Sequence, residues 1–261
     1  MKLTICTSSF NNNETLDLFV DSLLMQSFRD WELKLCNDNI EKIDNKLFEF
    51  ITKENRIKVI RNNENLGLTI SLIKLINQLP ENSYIVRMDD DEIHTSEYLI
   101  SVATSFKRGH DLIVYSAYPL ISKLLMKIHA KSPLLSSLFL CLTGNIACHG
   151  GISFTKECYS KANGYSKDFR YSQDYNLLIK LLKVSKKPYF INRLDFKPFE
   201  IERKSYKLSR NNKTMQKIFG LISVIGIFNE KDKNTKKTFY FFIVLLIFSI
   251  PLKLLRSILI K

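Results

Sequence analysis

The feature that most constrains the fold is an alternation of short apolar runs with stretches of helical periodicity. Five apolar runs have the length of buried strands: 3–7, 31–36, 57–60, 84–88 and 112–115. Between them, apolar side chains recur every three or four residues, as they do from Leu16 to Leu24. Successive β-α units of this kind predict an α/β fold, with a mainly parallel sheet flanked by helices.

The pattern is sparser in the remainder of the chain. We predict a helix around residues 44–52, a strand at 150–154, a helix with its apolar face at 175–182, and a strand at 189–191. Residues 116–148 mix apolar and basic side chains with few turn signals, and they allow no assignment.

Four consecutive acidic residues, from Asp89 to Glu92, directly follow the fourth apolar run. Adjacent carboxylates repel one another, and a divalent cation relieves that repulsion. Their oxygens suit Mn²⁺ or Mg²⁺, and Mg²⁺ commonly joins one or two carboxylates to substrate phosphates. Because ligands bind beyond the carboxyl ends of the strands in such sheets, we favour a metal site here over a solvated acidic turn.

Three other polar segments lie next to predicted strands or helices. Asn37-Asp38-Asn39 follows the second apolar run, Asn65-Leu66-Gly67 follows the third, and Gln173-Asp174-Tyr175 begins a predicted helix. Each segment has an ordinary explanation, as a turn or as a charge at a helix N-terminus. Two of them also have a functional explanation: Asp38 as an acceptor of hydrogen bonds from a base or ribose, and Asp174 as a general base.

Charge divides the chain into two parts. Residues 1–200 hold 26 Lys and Arg against 23 Asp and Glu, whereas residues 201–261 hold 13 against 3. A nucleic-acid-binding protein usually carries its positive charge on the folded domain, so we expect no nucleic-acid partner. A basic tail that is also apolar indicates an anionic membrane surface.

The cysteines and histidines carry no site signature. The five cysteines include no Cys-x-x-Cys pair, which favours free thiols in a reducing compartment. We expect His94, His110 and His129 to be surface residues rather than ligands, and Trp31 to lie in the core. The first residues predict a strand and include no apolar stretch of signal-peptide length, so we do not expect export.

Several segments, taken in order, resemble the family 2 glycosyltransferases, which are inverting nucleotide-sugar enzymes with the GT-A fold. The resemblance covers roughly residues 2–195. The segments that carry it are Thr4–Asn11, Leu23–Leu33, Asn37–Ile40, Asn65–Thr69, Tyr84–Glu92, Asn145–His149, Asn163–Tyr165 and Gln173–Leu177. The acidic cluster occupies the place of that family's D-x-D metal motif, and Gln173-Asp174 that of its Glu-Asp motif.

The resemblance implies a role for each site residue. Nucleotide contacts would come from Thr7, Ser9, Phe10, Asp38, Asn65, Asp89 and Asp90. Asp89 and Asp91 would hold Mn²⁺ or Mg²⁺ on the diphosphate, and Asp174 would be the catalytic base. The resemblance also implies a nucleotide-sugar-binding and catalytic domain at 1–200. The charge division and the apolar composition predict a helical, basic and apolar tail at 201–261.

The implied activity is transfer of a sugar, with a UDP-sugar favoured as donor, to a saccharide or lipid-linked acceptor of surface polysaccharide. The implied location is the cytoplasmic face of the membrane. Asn37, Ile70 and Ile73 depart from the family pattern, which keeps open a non-catalytic nucleotide-binding partner protein at the membrane. A metal-dependent nucleotidyltransferase is a further alternative.

The tail contains an uncharged stretch, residues 239–252, with lysines on both sides. Its 14 residues fall short of the roughly 18–20 that a spanning helix needs. We therefore favour an interfacial or re-entrant membrane segment over a spanning helix, and a spanning helix over a plain docking helix.

Overall fold

The structure is a computed structural model, and it describes residues 1–10, 13–38, 53–116, 118–169, 172–192 and 199–200. Nine strands lie in the described residues: β1 (Leu3–Ser9), β2 (Trp31–Asn37), β3 (Ile57–Arg61), β4 (Tyr84–Arg87), β5 (Glu92–Ile93), β6 (Leu112–Ser116), β7 (Ala147–Thr155), β8 (Pro188–Asn192) and β9 (Phe199–Glu200). Seven helices accompany them: α1 (Asn13–Leu24), α2 (Leu68–Asn77), α3 (Tyr98–Lys107), α4 (Pro119–His129), α5 (Pro133–Thr143), α6 (Lys156–Lys161) and α7 (Gln173–Val184).

Seven strands form one sheet in the order β3-β2-β1-β4-β7-β6-β8. β1 pairs in parallel with β2 and β4, β2 with β3, and β6 with β8. Only β7 runs the other way, antiparallel to β4 and β6. β5 and β9 form a separate antiparallel pair. The carboxyl ends of β1, β2, β4 and β6 therefore meet at one edge of the sheet.

Two apolar cores cover the two faces of the sheet. On one face, α1 and α3 pack against Leu3, Ile5 and their neighbours in the strands. On the other, α2, α5 and α7 pack against Ile85, Val114 and Phe154. Adjacent strand residues point to opposite faces, so strands covered on both sides are apolar throughout, which is why they are legible in the sequence.

The predicted mainly parallel α/β fold is confirmed in this part of the chain, and Trp31 is buried as expected. The unassigned segment 116–148 forms the helices α4 and α5. Each begins with a proline at its first turn, where a missing N–H costs no helical hydrogen bond. The predicted helix at 44–52 lies outside the described residues.

The tail, residues 201–261, also lies outside the described residues, and its helical and membrane-associating character stays a prediction. Among the helices that the structure describes, none combines the length and the apolar character needed to cross a bilayer.

Candidate functional site

The acidic cluster lies at the carboxyl edge of the sheet, because β4 ends at Arg87 and Met88 leads directly into it. Asp89 and Asp91 are half-buried, whereas Asp90 is buried and offers little surface to a ligand. The Thr7 hydroxyl donates a hydrogen bond to the Met88 carbonyl at 3.1 Å. The end of β1 is thereby joined to the start of the cluster.

Arg87 connects the acidic cluster to the candidate base. Its side chain is only 2% exposed, its Nη1 donates to Asp89 Oδ1 at 2.5 Å, and its Nη2 lies 3.7 Å from Asp174 Oδ2. Burial lowers the pKa of Arg87, but the carboxylates of Asp89 and Asp174 outweigh it, so the pKa is raised well above its ordinary value. The guanidinium is a permanent cation between two carboxylates.

Tyr165 holds the other oxygen of Asp174. Its hydroxyl donates to Asp174 Oδ1 at 2.9 Å. Burial, followed by the negative charge of Asp174, raises the Tyr165 pKa well above its ordinary value, so the hydroxyl keeps its proton. Among the described residues, Asp174 Oδ2 accepts no hydrogen bond, and the side chain is 20% exposed. That oxygen remains able to accept a proton.

Gly164 allows the backbone to position Tyr165 for its hydrogen bond to Asp174. It has φ 48°, a left-handed conformation that glycine adopts readily. A Cβ at this position would lie 2.4 Å from the Tyr159 ring. The Tyr159 hydroxyl in turn accepts the Tyr165 backbone N–H at 3.1 Å. The absence of a side chain at Gly164 is therefore what allows the Tyr159 ring to hold the Tyr165 backbone.

Asp38 organises the loop between β3 and α2. Its Oδ1 accepts from Asn62 Nδ2 at 2.8 Å and from the Leu66 N–H at 2.9 Å, and its Oδ2 accepts from the Gly67 N–H at 2.7 Å. The side chain is buried. The structure thus gives Asp38 a loop-fixing role that the sequence did not indicate, and leaves its carboxylate with limited capacity for a base.

The remaining predicted nucleotide contacts surround this loop. Ser9 is buried, and its carbonyl accepts the Asp38 N–H at 2.9 Å. Phe10 is 45% exposed. Asn65 is exposed, and its Oδ1 accepts the Gly67 N–H at 3.0 Å. Thr7, Ser9, Asp38 and Asn65 therefore share the edge of the sheet on which the acidic cluster lies.

Two of the three histidines are buried, and the expectation that they lie at the surface is wrong. Burial lowers the pKa of His94 to about 3, so the ring is neutral and its 3.4 Å approach to Glu92 is not an ion pair. His129 is held between the Ser136 hydroxyl at 2.9 Å and the Ser185 carbonyl at 3.0 Å. His94 packs on the Tyr98 ring at the start of α3, with 4.0 Å between ring centroids, and His129 lies between α4, α5 and the end of α7.

The carboxylate oxygens of Asp89 and Asp91 are the type of ligand that a divalent cation such as Mg²⁺ binds. They are half-buried oxygen donors at the sheet edge, and Mg²⁺ needs only one or two carboxylates when substrate phosphates supply the other ligands. No group of three or more acidic, histidine or cysteine side chains with metal-site geometry occurs in the described part of the chain. Substrate phosphates would supply further oxygen ligands to a cation held by Asp89 and Asp91.

Sequence reasoning assigned no role to Arg87 or Tyr165. A signal for Arg87 was present, since a charged residue inside an apolar strand is costly unless it is paired. No local signal identifies its partner Asp174, which is distant in the sequence. Tyr165 resembles any other aromatic residue of the core.

Comparisons with known proteins agree with this arrangement. A family model described as Glycosyl transferase family 2 matches residues 4–144. EpsE of Bacillus subtilis (strain 168), a candidate glycosyltransferase by name, is 25% identical over 81% of this chain and 79% of its own. The bifunctional glycosyltransferase pgtA of Dictyostelium discoideum is 37% identical over 33% of this chain, and the matched part covers only 12% of that protein.

Two solved structures share the fold. S. aureus TarS 1-349 in complex with UDP-GlcNAc has a TM-score of 0.62 at 12% identity, over 91% of this chain and 69% of that one. The mannosyltransferase PcManGT from Pyrobaculum calidifontis, in complex with GDP-Man and Mn²⁺, has a TM-score of 0.62 at 12% identity, over 90% and 66%.

Proposed function

The chain belongs to glycosyl transferase family 2, and from this premise we propose that it transfers a sugar from a nucleotide-sugar donor to an acceptor hydroxyl. The single observation that carries the proposal is the contact of Arg87 with both Asp89 and Asp174. It brings the acidic motif of the donor side and the candidate base of the acceptor side to one edge of the sheet.

The reaction we propose is a single displacement with inversion. The acceptor hydroxyl attacks the anomeric carbon from the face opposite the nucleoside diphosphate, and the bond from that carbon to the phosphate oxygen breaks. Asp174 takes the hydroxyl proton as the new bond forms. Oδ2 is the accepting oxygen, because Oδ1 already accepts the Tyr165 hydroxyl. Arg87 and Tyr165 orient Asp174 and are positioning residues.

On the donor side, Asp89 and Asp91 would hold Mn²⁺ or Mg²⁺. The cation, when bound, supplies Lewis-acid stabilisation of the diphosphate leaving group. Thr7, Ser9, Phe10, Asp38, Asn65 and Asp90 are the proposed surroundings of the nucleotide. The structure favours an indirect role for Asp38 and Asp90, since both side chains are buried. UDP is the nucleotide we favour.

The acceptor we propose is a saccharide or a lipid-linked saccharide of surface polysaccharide, reached from the cytoplasmic face of the membrane. The excess of 13 basic over 3 acidic residues in the tail supports attraction to anionic lipid. Deleting residues 238–261 tests this location by itself, because it should lower membrane binding and leave donor binding intact.

The experiment that tests the function separates the two carboxylate sites. Asp174→Asn keeps shape and removes the proton acceptor, so transfer should fall by roughly 10²–10⁴ while donor affinity stays nearly constant. Asp91→Ala should instead abolish the Mn²⁺-dependent part of donor binding. Asp168→Asn, an exposed aspartate six residues before Asp174, is the matched control and should change neither.

Product analysis distinguishes the alternatives. Sugar transfer releases nucleoside diphosphate, and a nucleotidyltransferase releases pyrophosphate. A non-catalytic partner protein binds the nucleotide and releases neither. Equal losses of donor binding and transfer in Asp174→Asn would make Asp174 a structural residue and remove the proposed base.

A further inference from the structure

The helical hairpin α4–α5 carries a concentration of exposed leucines. Leu120 is 66% exposed, Leu124 45%, Leu134 36% and Leu135 44%. Leu120 and Leu124 are one turn apart on α4, and the other two lie in the first turn of α5. Exposed large apolar side chains on the other described elements are scattered singly, which is ordinary for a protein surface.

Three lysines of the same helical hairpin are exposed as well. They are Lys123, Lys127 and Lys131, and within the described residues none of them forms an ion pair. The sequence contains no acidic residue between Asp111 and Glu157. We call the four leucines and three lysines together the hairpin face. It is apolar and positively charged, with no acidic side chain in its segment to neutralise it.

We propose that the hairpin face docks on the surface of an anionic lipid bilayer. Leucines enter the boundary between headgroups and acyl chains, and lysine stems lie along them while their ammonium groups reach the phosphates. This inference goes beyond the proposed sugar transfer, since it concerns the folded domain and requires neither donor nor acceptor.

Two parts of this protein could cover the hairpin face, its own tail and a second copy of the chain. Charge disfavours both. The tail carries 13 basic and 3 acidic residues, so it is repelled by the lysines of the hairpin face. A second copy would bring an identical positive face against the first. An anionic bilayer complements both the charge and the apolar side chains, with each lysine near the surface contributing about a fivefold gain in affinity.

The topology places one end of the hairpin face, the start of α4 with Leu120, beside the candidate site. β6 runs parallel to β8 and antiparallel to β7, which is itself antiparallel to β4, so β6 ends at the same edge as β4. Helix α4 begins three residues after β6 ends. At the far end of α5, the Leu140 carbonyl accepts the Tyr175 hydroxyl at 3.3 Å, next to Asp174. A membrane under this face lies close to the acceptor side.

Vesicle flotation of the full-length chain tests the proposal. The probe is phosphatidylcholine vesicles with and without phosphatidylglycerol. Leu120→Gln with Leu124→Gln should lower the partition coefficient on anionic vesicles about tenfold. Leu18→Gln with Met25→Gln is the matched control, because Leu18 on α1 is 44% exposed and Met25, directly after α1, is 70% exposed, and it should leave partitioning unchanged.

The lysines give a second, independent arm. Lys123→Gln with Lys127→Gln should weaken binding to anionic vesicles and leave binding to neutral vesicles unchanged. The control, Lys58→Gln with Lys107→Gln, should change binding to neither kind of vesicle. Less than a twofold difference between the hairpin variants and their controls would overturn the proposal. Loss of a dimer in sedimentation with vesicle binding retained would overturn it in favour of a second copy.

A thermal shift with UDP and Mn²⁺ keeps this test separate from the proposed function. Donor stabilisation should be equal in the wild type and in every hairpin variant, which also shows that they fold. Failure of docking with donor binding intact rejects the hairpin face alone. Absence of donor binding in the wild type rejects the nucleotide-sugar proposal and leaves the docking result valid.

Discussion

The two halves of the candidate site are held in different ways. On the donor side, residues 3–93, the site residues lie at the ends of neighbouring parallel strands, and backbone groups supply two of the three hydrogen bonds to Asp38. On the acceptor side, residues 112–192, Asp174 is held by side chains, Tyr165 and Arg87. The donor half depends on sheet register, and the acceptor half on packing.

This difference predicts which half of the site loses activity more easily on substitution. Strand ends in a paired sheet are fixed by many hydrogen bonds, so one substitution shifts them little. A side chain held by one hydroxyl and one guanidinium loses its orientation when either is removed. Misplacement by about 1 Å can cost a hundredfold in rate. Substitutions outside the reacting groups should therefore impair the acceptor half first.

Removing Arg87 should have the largest effect, because its guanidinium contacts a carboxylate of each half, Asp89 and Asp174. Arg87→Met leaves Asp89 and Asp174 without a shared cation, so transfer should fall about a hundredfold. The free energy of unfolding should fall by about 2 kcal/mol, below the loss for a fully buried pair, because these carboxylates are 19% and 20% exposed. Steady-state kinetics and urea unfolding measure both.

A double-mutant cycle shows whether Arg87 acts through Asp174. If it does, Arg87→Met should reduce kcat much less in the Asp174→Asn background than in the wild type. Arg56→Met is the control, since Arg56 forms an ion pair with Glu54 at 2.8 Å, away from the candidate site. Strictly additive losses in the cycle would contradict a positioning role.

Adding a methyl group at Gly164 should weaken the acceptor half alone. Gly164→Ala combines a left-handed φ with overlap on the Tyr159 ring, and we expect a loss of about 2–4 kcal/mol together with reduced transfer. Gly109→Ala separates the two causes, because Gly109 has φ 81° and only the Lys187 Nζ at 4.0 Å. That control should lose about 1–2 kcal/mol and retain transfer; equal losses would exclude the ring contact.

Asp38→Asn should weaken the donor half alone. The new amide group brings donors toward the N–H groups of Leu66 and Gly67, and stability should fall by about 1.5–2 kcal/mol. Donor affinity should fall while kcat at saturating donor is kept. Hydrogen exchange at Leu66 and Gly67 should accelerate. Asp17→Asn, which alters an exposed contact to the Leu18 N–H, is the control; unchanged exchange in Asp38→Asn would contradict the loop-fixing role.

His94 should make stability sensitive to acid without altering the contacts of Arg87 with Asp89 and Asp174. Burial lowers its pKa in the folded state to about 3 from the ordinary 6.5, so the unfolded chain binds a proton first as the pH falls. The stability contribution is present above pH 6.5 and is lost toward pH 3, at up to about 1.4 kcal/mol per pH unit.

His94→Phe keeps the ring contact with Tyr98 and should flatten the pH dependence measured by urea unfolding between pH 6.5 and pH 4. His110→Phe is the matched control, because His110 is half-buried and stacks on Tyr189. Its effect should be smaller. An unchanged slope in His94→Phe would show that other groups carry the acid sensitivity.

All of the predicted strands occur within the described residues, and their ends differ from the prediction by no more than a few residues. Buried parallel strands are apolar throughout, so their runs are easily recognised in the sequence. The helices α4 and α5 were not predicted, because α5 is apolar on nearly every side and α4 exposes leucines that an ordinary surface helix would not. The antiparallel direction of β7 could not be predicted, since strand direction is set by the path of the connecting chain rather than by periodicity.

The sequence alone determined the alternation of strands and helices, the place of Asp89 and Asp91 after a buried strand, and the concentration of positive charge in residues 201–261. Each is a property of neighbouring residues. Tertiary packing brings Arg87 into contact with both Asp89 and Asp174, lets Asp38 fix the loop at Leu66 and Gly67, and buries His94. Contacts between residues far apart in the chain depend on strand order and packing, which local periodicity does not encode.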